Sequence, residues 1–345
     1  MFFICSYSQN TNVLTIAHKY YLFMTINKRI KYIDTIKFGA ILIVCVTHYI
    51  AIFNQELFYL WREFPTSLIL KGVSGKLGVC ILGVIMCYLA SSSKEPNPVR
   101  YIIKRYFYFV FAGLILNFLY IITGLSSHTF GYAAIESLKL GSEIFPTFWC
   151  MCPFWVASVI SYLNGKYCAH SVWIILLEIL LLALVGWGWV SICLLGNVAC
   201  VLLDYRMVSN WFDSCYIKFF ICFLAFWAIK REESVITYLI DGLSAASFIM
   251  VVKKSKFLQT ALELPFLERL GYYTMSIFLL HNLVFFTFGR WMFSLHFFDE
   301  AHGIDCFVIF IVCMFIVLLF SIVLQWCLNM LNNIVDNALE LIINN

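Results

Sequence analysis

Lys31-Tyr-Ile-Asp34-Thr-Ile-Lys37-Phe-Gly-Ala-Ile-Leu-Ile-Val-Cys-Val-Thr-His48 is an apolar run interrupted by three ionisable side chains. A helix of about 20 such residues crosses the hydrocarbon of a bilayer. Each helical residue turns the chain by about 100°, so Lys37 and His48 lie within about 20° of each other and Asp34 and His48 within about 40°. The three share one face, and Ile, Leu and Val occupy the others. A charged stripe is costly against lipid, so it faces the interior of a bundle. At a rise of about 1.5 Å per residue, His48 sits about 21 Å from Asp34, near the outer leaflet if Asp34 is at the inner one. A first span that needs a bundle to hide one face predicts further spans.

The rest of the chain supplies them. Its 345 residues are 63% hydrophobic, 18% aromatic and 12% charged, and the mean hydropathy is +0.90. Soluble domains are about 45–50% apolar and about 25% charged. This composition excludes a soluble enzyme, a disordered regulator and a nucleic-acid binder. The net charge is +4, but the 23 Lys and Arg are scattered and imply no basic groove. Apolar runs occur at 33–53, 76–92, 104–124, 145–164, 172–186, 188–203, 215–230, 235–252, 268–293 and 305–328. They are too uniformly apolar for barrel strands, which alternate. Helices are required instead, because lipid satisfies no open backbone group.

The stretch 172–203 reads either as one long tilted helix or as two short ones broken at Gly186-Trp187-Gly188. Charge decides between them. With two helices and a cytoplasmic N-terminus, sixteen of the 23 Lys and Arg fall inside and seven outside; with one, the split is thirteen to ten. The positive-inside rule favours the first. The predicted fold class is therefore an all-α polytopic integral membrane protein with ten transmembrane helices and both termini cytoplasmic. Residues 1–30 are an extension and basic cytoplasmic segment, 31–330 one transmembrane domain, and 331–345 a cytoplasmic tail. Residues 1–23 form neither a span nor a signal sequence and are expected to be dispensable.

The fourteen cysteines do not make a disulfide framework or a metal site. Cys45, Cys80, Cys87, Cys193, Cys200, Cys222, Cys313 and Cys327 lie within apolar runs, and no C-x-x-C pair occurs. Buried thiols of this kind act as small hydrophobes. No metal ligand set is expected.

Two further polar sets stand out. His281 lies in the apolar run after Arg269, where the leading reading is a hydrogen bond to a neighbouring helix. The cytoplasmic loop Lys94-Glu-Pro-Asn-Pro-Val-Arg100-Tyr-Ile-Ile-Lys104-Arg105 opens a helix with a cationic cluster. It reads as a positive-inside anchor or as an anion site suited to phosphates.

Taken in order, these sets resemble the integral-membrane acyltransferase-3 family of bacterial O-acyltransferases. Tyr32-Ile33-Asp34-Thr35-Ile36-Lys37 and His48 fit its first span, with Lys37 where Arg is usual. Gly78-Val79 and Tyr88-Leu89 fit the second span, where Met86-Cys87 replaces the usual Ser-Gly and Leu82-Gly83 the usual Phe pair. Arg105 matches the first Arg of the family's R-x-x-R, and Tyr108 replaces the second. Phe148-Trp149 resembles a motif near the fourth span, and Leu270-Gly271 through Ser276 and His281 resembles a late one.

The resemblance implies transfer of an acyl group, most often acetyl, from cytoplasmic acyl-CoA to a hydroxyl of a surface or lipid-linked glycan across the bacterial inner membrane. It implies no bound cofactor and no nucleic-acid partner. His48 would act as base or handle the acyl unit, and Asp34 would orient Lys37. Lys37, Lys104 and Arg105 would attract the CoA phosphates. Trp149, Ser276 and His281 are candidate pocket residues. The competing expectations are a transporter or flippase of glycan precursors, whose mark would be internal repeats, and a glycan sensor or structural membrane protein.

Overall fold

A computed structural model describes residues 30–52, 74–168, 171–204, 218, 221, 234–295 and 303–344. Among these the chain is helical, with no strand. In chain order the helices are α1 (Lys31–Ile52), α2 (Ser74–Ser91), α3 (Pro98–Ile122), α4 (Phe130–Leu138), α5 (Met151–Tyr167), α6 (Val172–Leu184), α7 (Gly188–Asp204), α8 (Val235–Lys254), α9 (Lys256–Leu262), α10 (Pro265–Tyr272), α11 (Thr274–Val284), α12 (Arg290–Ser294) and α13 (Gly303–Asn344). A 3₁₀ turn, Pro146–Cys150, leads into α5, and a π-helical turn, Phe285–Gly289, joins α11 to α12. Five stretches are long and apolar enough to cross a membrane: Lys31–Ile50, Pro98–Ile122, Ile236–Lys254, Thr274–Ser294 and Phe307–Ile342. Three shorter apolar helices stand beside them.

Local chemistry sets several boundaries. The Asn97 side chain accepts hydrogen bonds from the backbone N–H groups of Val99 and Arg100, with Pro98 as the first helical residue. This cap starts α3 before the apolar run, so Arg100, Lys104 and Arg105 lie at the start of the helix, as the sequence predicts. Ser234 and Thr237 cap each other's backbone at the start of α8. The stretch 172–203 is two helices: Gly186, at φ +87°, reverses the chain. There the Ser191 hydroxyl donates to the Ile179 carbonyl at 3.0 Å. Only glycine takes that left-handed conformation without strain.

Helices α4 and α9, nine and seven residues long, are too short to cross a membrane. Residues 331–344, expected as a cytoplasmic tail, continue the 42-residue α13. The extension at 1–23 and all of the predicted span at 215–230 except Lys218 and Ile221 lie outside the described residues.

Helix α2 is central, packing on α1, α5, α7 and α8. Helices α1, α2, α5, α3 and α11 each pack on the next, and α11 returns to α1. Small residues permit the closest crossings. A Cβ on Gly78 would lie 2.5 Å from the Ala40 carbonyl oxygen, and one on Gly196 would lie 2.2 Å from that of Val84. Such small-residue contacts let helix backbones approach in a membrane, where apolar burial gives no drive between helices. Cys80, Cys87 and Cys193 are buried thiols that fill space between these helices.

Candidate functional site

The polar stripe of α1 faces inward. Asp34, Ile41, Val44 and Cys45 are buried, whereas Ile43 and Gly39, on the far side, are exposed or have open space around them. At the start of the stripe the Lys37 ammonium sits 2.5 Å from the Asp34 carboxylate. Gly271 of α10 presses on this turn so closely that a Cβ there would stand 2.0 Å from the Asp34 carbonyl oxygen. The two ends of the sequence resemblance, the Asp34 motif and the Leu270-Gly271 motif, thus meet in space.

Three to four turns further along α1, His48 meets His281. His48 Nδ1 and His281 Nε2 are 2.7 Å apart, and the rings stack with centroids 4.9 Å apart. The Asn282 side chain also hydrogen-bonds His48. His281 is completely buried in α11, and its Nδ1 is 3.3 Å from the Ile277 carbonyl oxygen. The sequence reading gave His281 a helix-to-helix hydrogen bond. It has one, and the partner is His48 itself. Phe278 and Phe285 flank the His281 ring.

With both rings neutral, one pair of tautomers satisfies these contacts. The Ile277 carbonyl oxygen only accepts, so His281 carries its proton on Nδ1. Its Nε2 then accepts from His48 Nδ1. The His48 lone pair falls on Nε2, the arrangement a general base or nucleophile needs, with the Asn282 side chain as the ring's other hydrogen-bonding neighbour.

The cationic cluster of α3 is arranged differently from expectation. Lys104 Nζ lies 2.7 Å from Asp336 of α13, Arg100 contacts the same carboxylate at 2.6 Å, and Arg100 also reaches Glu340 at 2.9 Å. Lys104 is therefore engaged by the chain's own acid. Arg105 lies over the Phe109 ring, and its Nε is buried with no hydrogen-bond partner among the described residues.

The Ser276 hydroxyl donates to Gln325 of α13 at 3.0 Å, Gln325 donates to Asn329, and Asn329 donates to the Tyr272 hydroxyl. This chain of polar side chains links α10, α11 and α13. Trp149 packs on Trp189, with ring centroids 4.5 Å apart.

Sequence reasoning missed a second polar centre. Asp241 of α8 is fully buried, 3.0 Å from the Lys76 ammonium. That ammonium lies over the rings of Trp189 and Tyr238. The signal was present: Asp241 is the single acid within the run 235–252, and an acid inside an apolar run is a site candidate by default. Compared with family models, curated proteins and solved structures, the chain matches none.

Proposed function

We propose that the protein is a membrane-bound O-acyltransferase of the bacterial inner membrane. It would move an acyl group, in the first instance acetyl, from cytoplasmic acyl-CoA to a hydroxyl of a surface or lipid-linked glycan. The observation that carries this reading is the His48–His281 pair, whose hydrogen bonds leave a lone pair on His48 Nε2 inside a helical bundle. The motifs of the resemblance support it, because the two that hold the histidines pack together at both Gly271 and His281.

In this reading the acceptor hydroxyl gives its proton to His48 Nε2 as its oxygen attacks the acyl carbonyl carbon. The carbon–sulfur bond of the thioester then breaks. The CoA thiolate leaves and takes up the proton from His48. His281 holds the His48 ring in the required tautomer and supports the positive charge that His48 gains in the transition state. Lys37, oriented by Asp34, and Arg105 attract the anionic donor. Lys104 joins them only if the donor displaces Asp336.

The test is incubation of the purified protein in lipid nanodiscs with radiolabelled acetyl-CoA and cell-surface glycan, followed by counting label in the glycan. Base-labile incorporation supports the assignment. Glycan transport without incorporation replaces it with a transporter. Glycan analysis of producing cells with and without the gene identifies the acceptor.

A further inference from the structure

The Lys76–Asp241 centre is not used by the chemistry above, and its surroundings indicate a ligand. We infer that Trp149, Trp189 and Tyr238, with the Lys76–Asp241 pair, form a subsite for a sugar ring; as the acceptor subsite it rests on the acyl-transfer reading.

The placement comes first. Lys76 is the third residue of α2 and Trp189 the second of α7. Tyr238 and Asp241 are the fourth and seventh of α8, and Trp149 lies in the 3₁₀ turn that opens α5. Four helices thus begin at one end of the bundle and each delivers a member of the cluster within its first two turns or just before them. His48 is at this same end. Gly75, next to Lys76, packs on Thr47, next to His48, and a Cβ on Gly75 would lie 3.1 Å from the Thr47 methyl.

The chemistry comes second. Indole and phenol rings offer flat apolar faces that stack on the C–H faces of a pyranose, with a polar edge for its hydroxyls. The part-exposed Lys76 ammonium donates hydrogen bonds to sugar hydroxyls, and the buried Asp241 carboxylate holds it in place. Other ligand classes fit worse. Asp241 cancels the charge of Lys76, so an anion gains nothing. The Lys76 ammonium already fills the cation position over Tyr238 and Trp189, 5.1 and 5.6 Å from their centroids, so the sugar ring stacks on the exposed Trp149 indole, which Trp189 backs. An interfacial tryptophan belt would account for exposed indoles but not for a fully buried carboxylate behind them. Access remains: Trp149 is 36% exposed and the Lys76 side chain 28%.

The experiment is saturation-transfer NMR on the full chain in nanodiscs assembled without glycoside detergents. The probes are maltotriose and chitotriose, with sorbitol as an open-chain polyol control. Saturation should reach the ring C–H protons of at least one trisaccharide and not sorbitol, a result that needs no variant. Trp149→Phe and Trp189→Phe should each weaken binding by about two- to tenfold, the range for one stacked aromatic contact. The paired Lys76→Met/Asp241→Asn change, which leaves no lone charge, should weaken it as well. Monodisperse elution and an unchanged unfolding temperature confirm that each variant is folded. Transfer to neither trisaccharide, equal transfer to sorbitol, or binding unchanged in the folded tryptophan variants overturns the assignment. Release of CoA from acetyl-CoA is read separately. Sugar binding without CoA release keeps this site and removes acyl transfer, and CoA release without sugar binding does the reverse.

Discussion

In the proposed transfer His48 and His281 divide one task between them, and substitutions separate their parts. His48→Ala removes the lone pair that this reaction would use, so transfer should fall by about 10²–10⁴-fold, the usual contribution of a general base. Membrane yield should stay near that of the parent, because His48 is only partly buried. His281 acts through His48, by accepting from its Nδ1. Glutamine places an amide oxygen near the position of the imidazole Nε2 and still accepts, whereas leucine does not. His281→Gln should therefore keep activity within about tenfold of the parent, and His281→Leu should lose about as much as His48→Ala. Both are measured as label transferred from acetyl-CoA, with elution profiles as the control for folding. Equal losses in the two variants would assign His281 to packing alone. The stripe on α1 was legible from the sequence, since a 100° repeat is local. Its partner was not, because 233 residues separate the two rings and only the packing of α10 and α11 on α1 sets their register. Asp241 was legible and overlooked, hidden in a run that otherwise reads as a span.

At the scale of elements, close helix crossings carry the fold. Gly271 and Gly196 lie against the backbone of a neighbouring helix, which cannot rotate aside as a side chain can. Gly271→Ala and Gly196→Ala should each lower stability by about 1–3 kcal/mol, the typical cost of overpacking. Gly39 has no atom within 4 Å of a Cβ, so Gly39→Ala should leave the unfolding temperature unchanged or slightly raised, since Ala is the better helix former. Thermal unfolding in matched detergent compares the three. The contact between α3 and α13 supports a second prediction. Asp336 holds Lys104 and Arg100 together, so in the proposed reaction a donor phosphate would compete with this carboxylate for the same cations. Asp336→Asn should lower the KM for acyl-CoA, and Lys104→Ala/Arg105→Ala should raise it and weaken its salt dependence. KM unmoved in both variants would leave these residues as topology anchors. The cations were legible as a cluster, but not their partner, because the apolar pattern ends before Asp336 and 331–345 reads as a tail.

At the scale of the molecule, the contacts between helices set their directions. Gly188 packs on Tyr238, and four to seven residues later Ile192 and Leu195 pack on Gly242, so α7 and α8 run parallel. Helix α2 runs with them, since Lys76 meets Asp241 near the two starts and Lys253 meets Tyr88 near the two ends. Helix α3 opposes α13, because the start of one meets the far end of the other. Two helices that follow each other in the chain and run parallel require the segment between them to return to the starting end. Asp204 and Val235 are separated by 30 residues, and about 20 apolar residues suffice for a helical crossing. The apolar run expected as a span at 215–230 lies in this interval, and a ten-span arrangement with both termini on one side would follow from it. Single cysteines at Ser126, Lys254 and Ser294 test the count with an impermeant maleimide on intact cells, each read against the labelling of the parent. Ser126 follows α3 and lies outside in the ten-span and nine-span arrangements alike, so it serves as the internal reference. Ten spans require Ser126 and Ser294 to label and Lys254 to be protected. Labelling of Ser126 and Lys254 with Ser294 protected would mean that the chain crosses once less before α8, and the sixteen-to-seven charge asymmetry would then no longer describe the orientation.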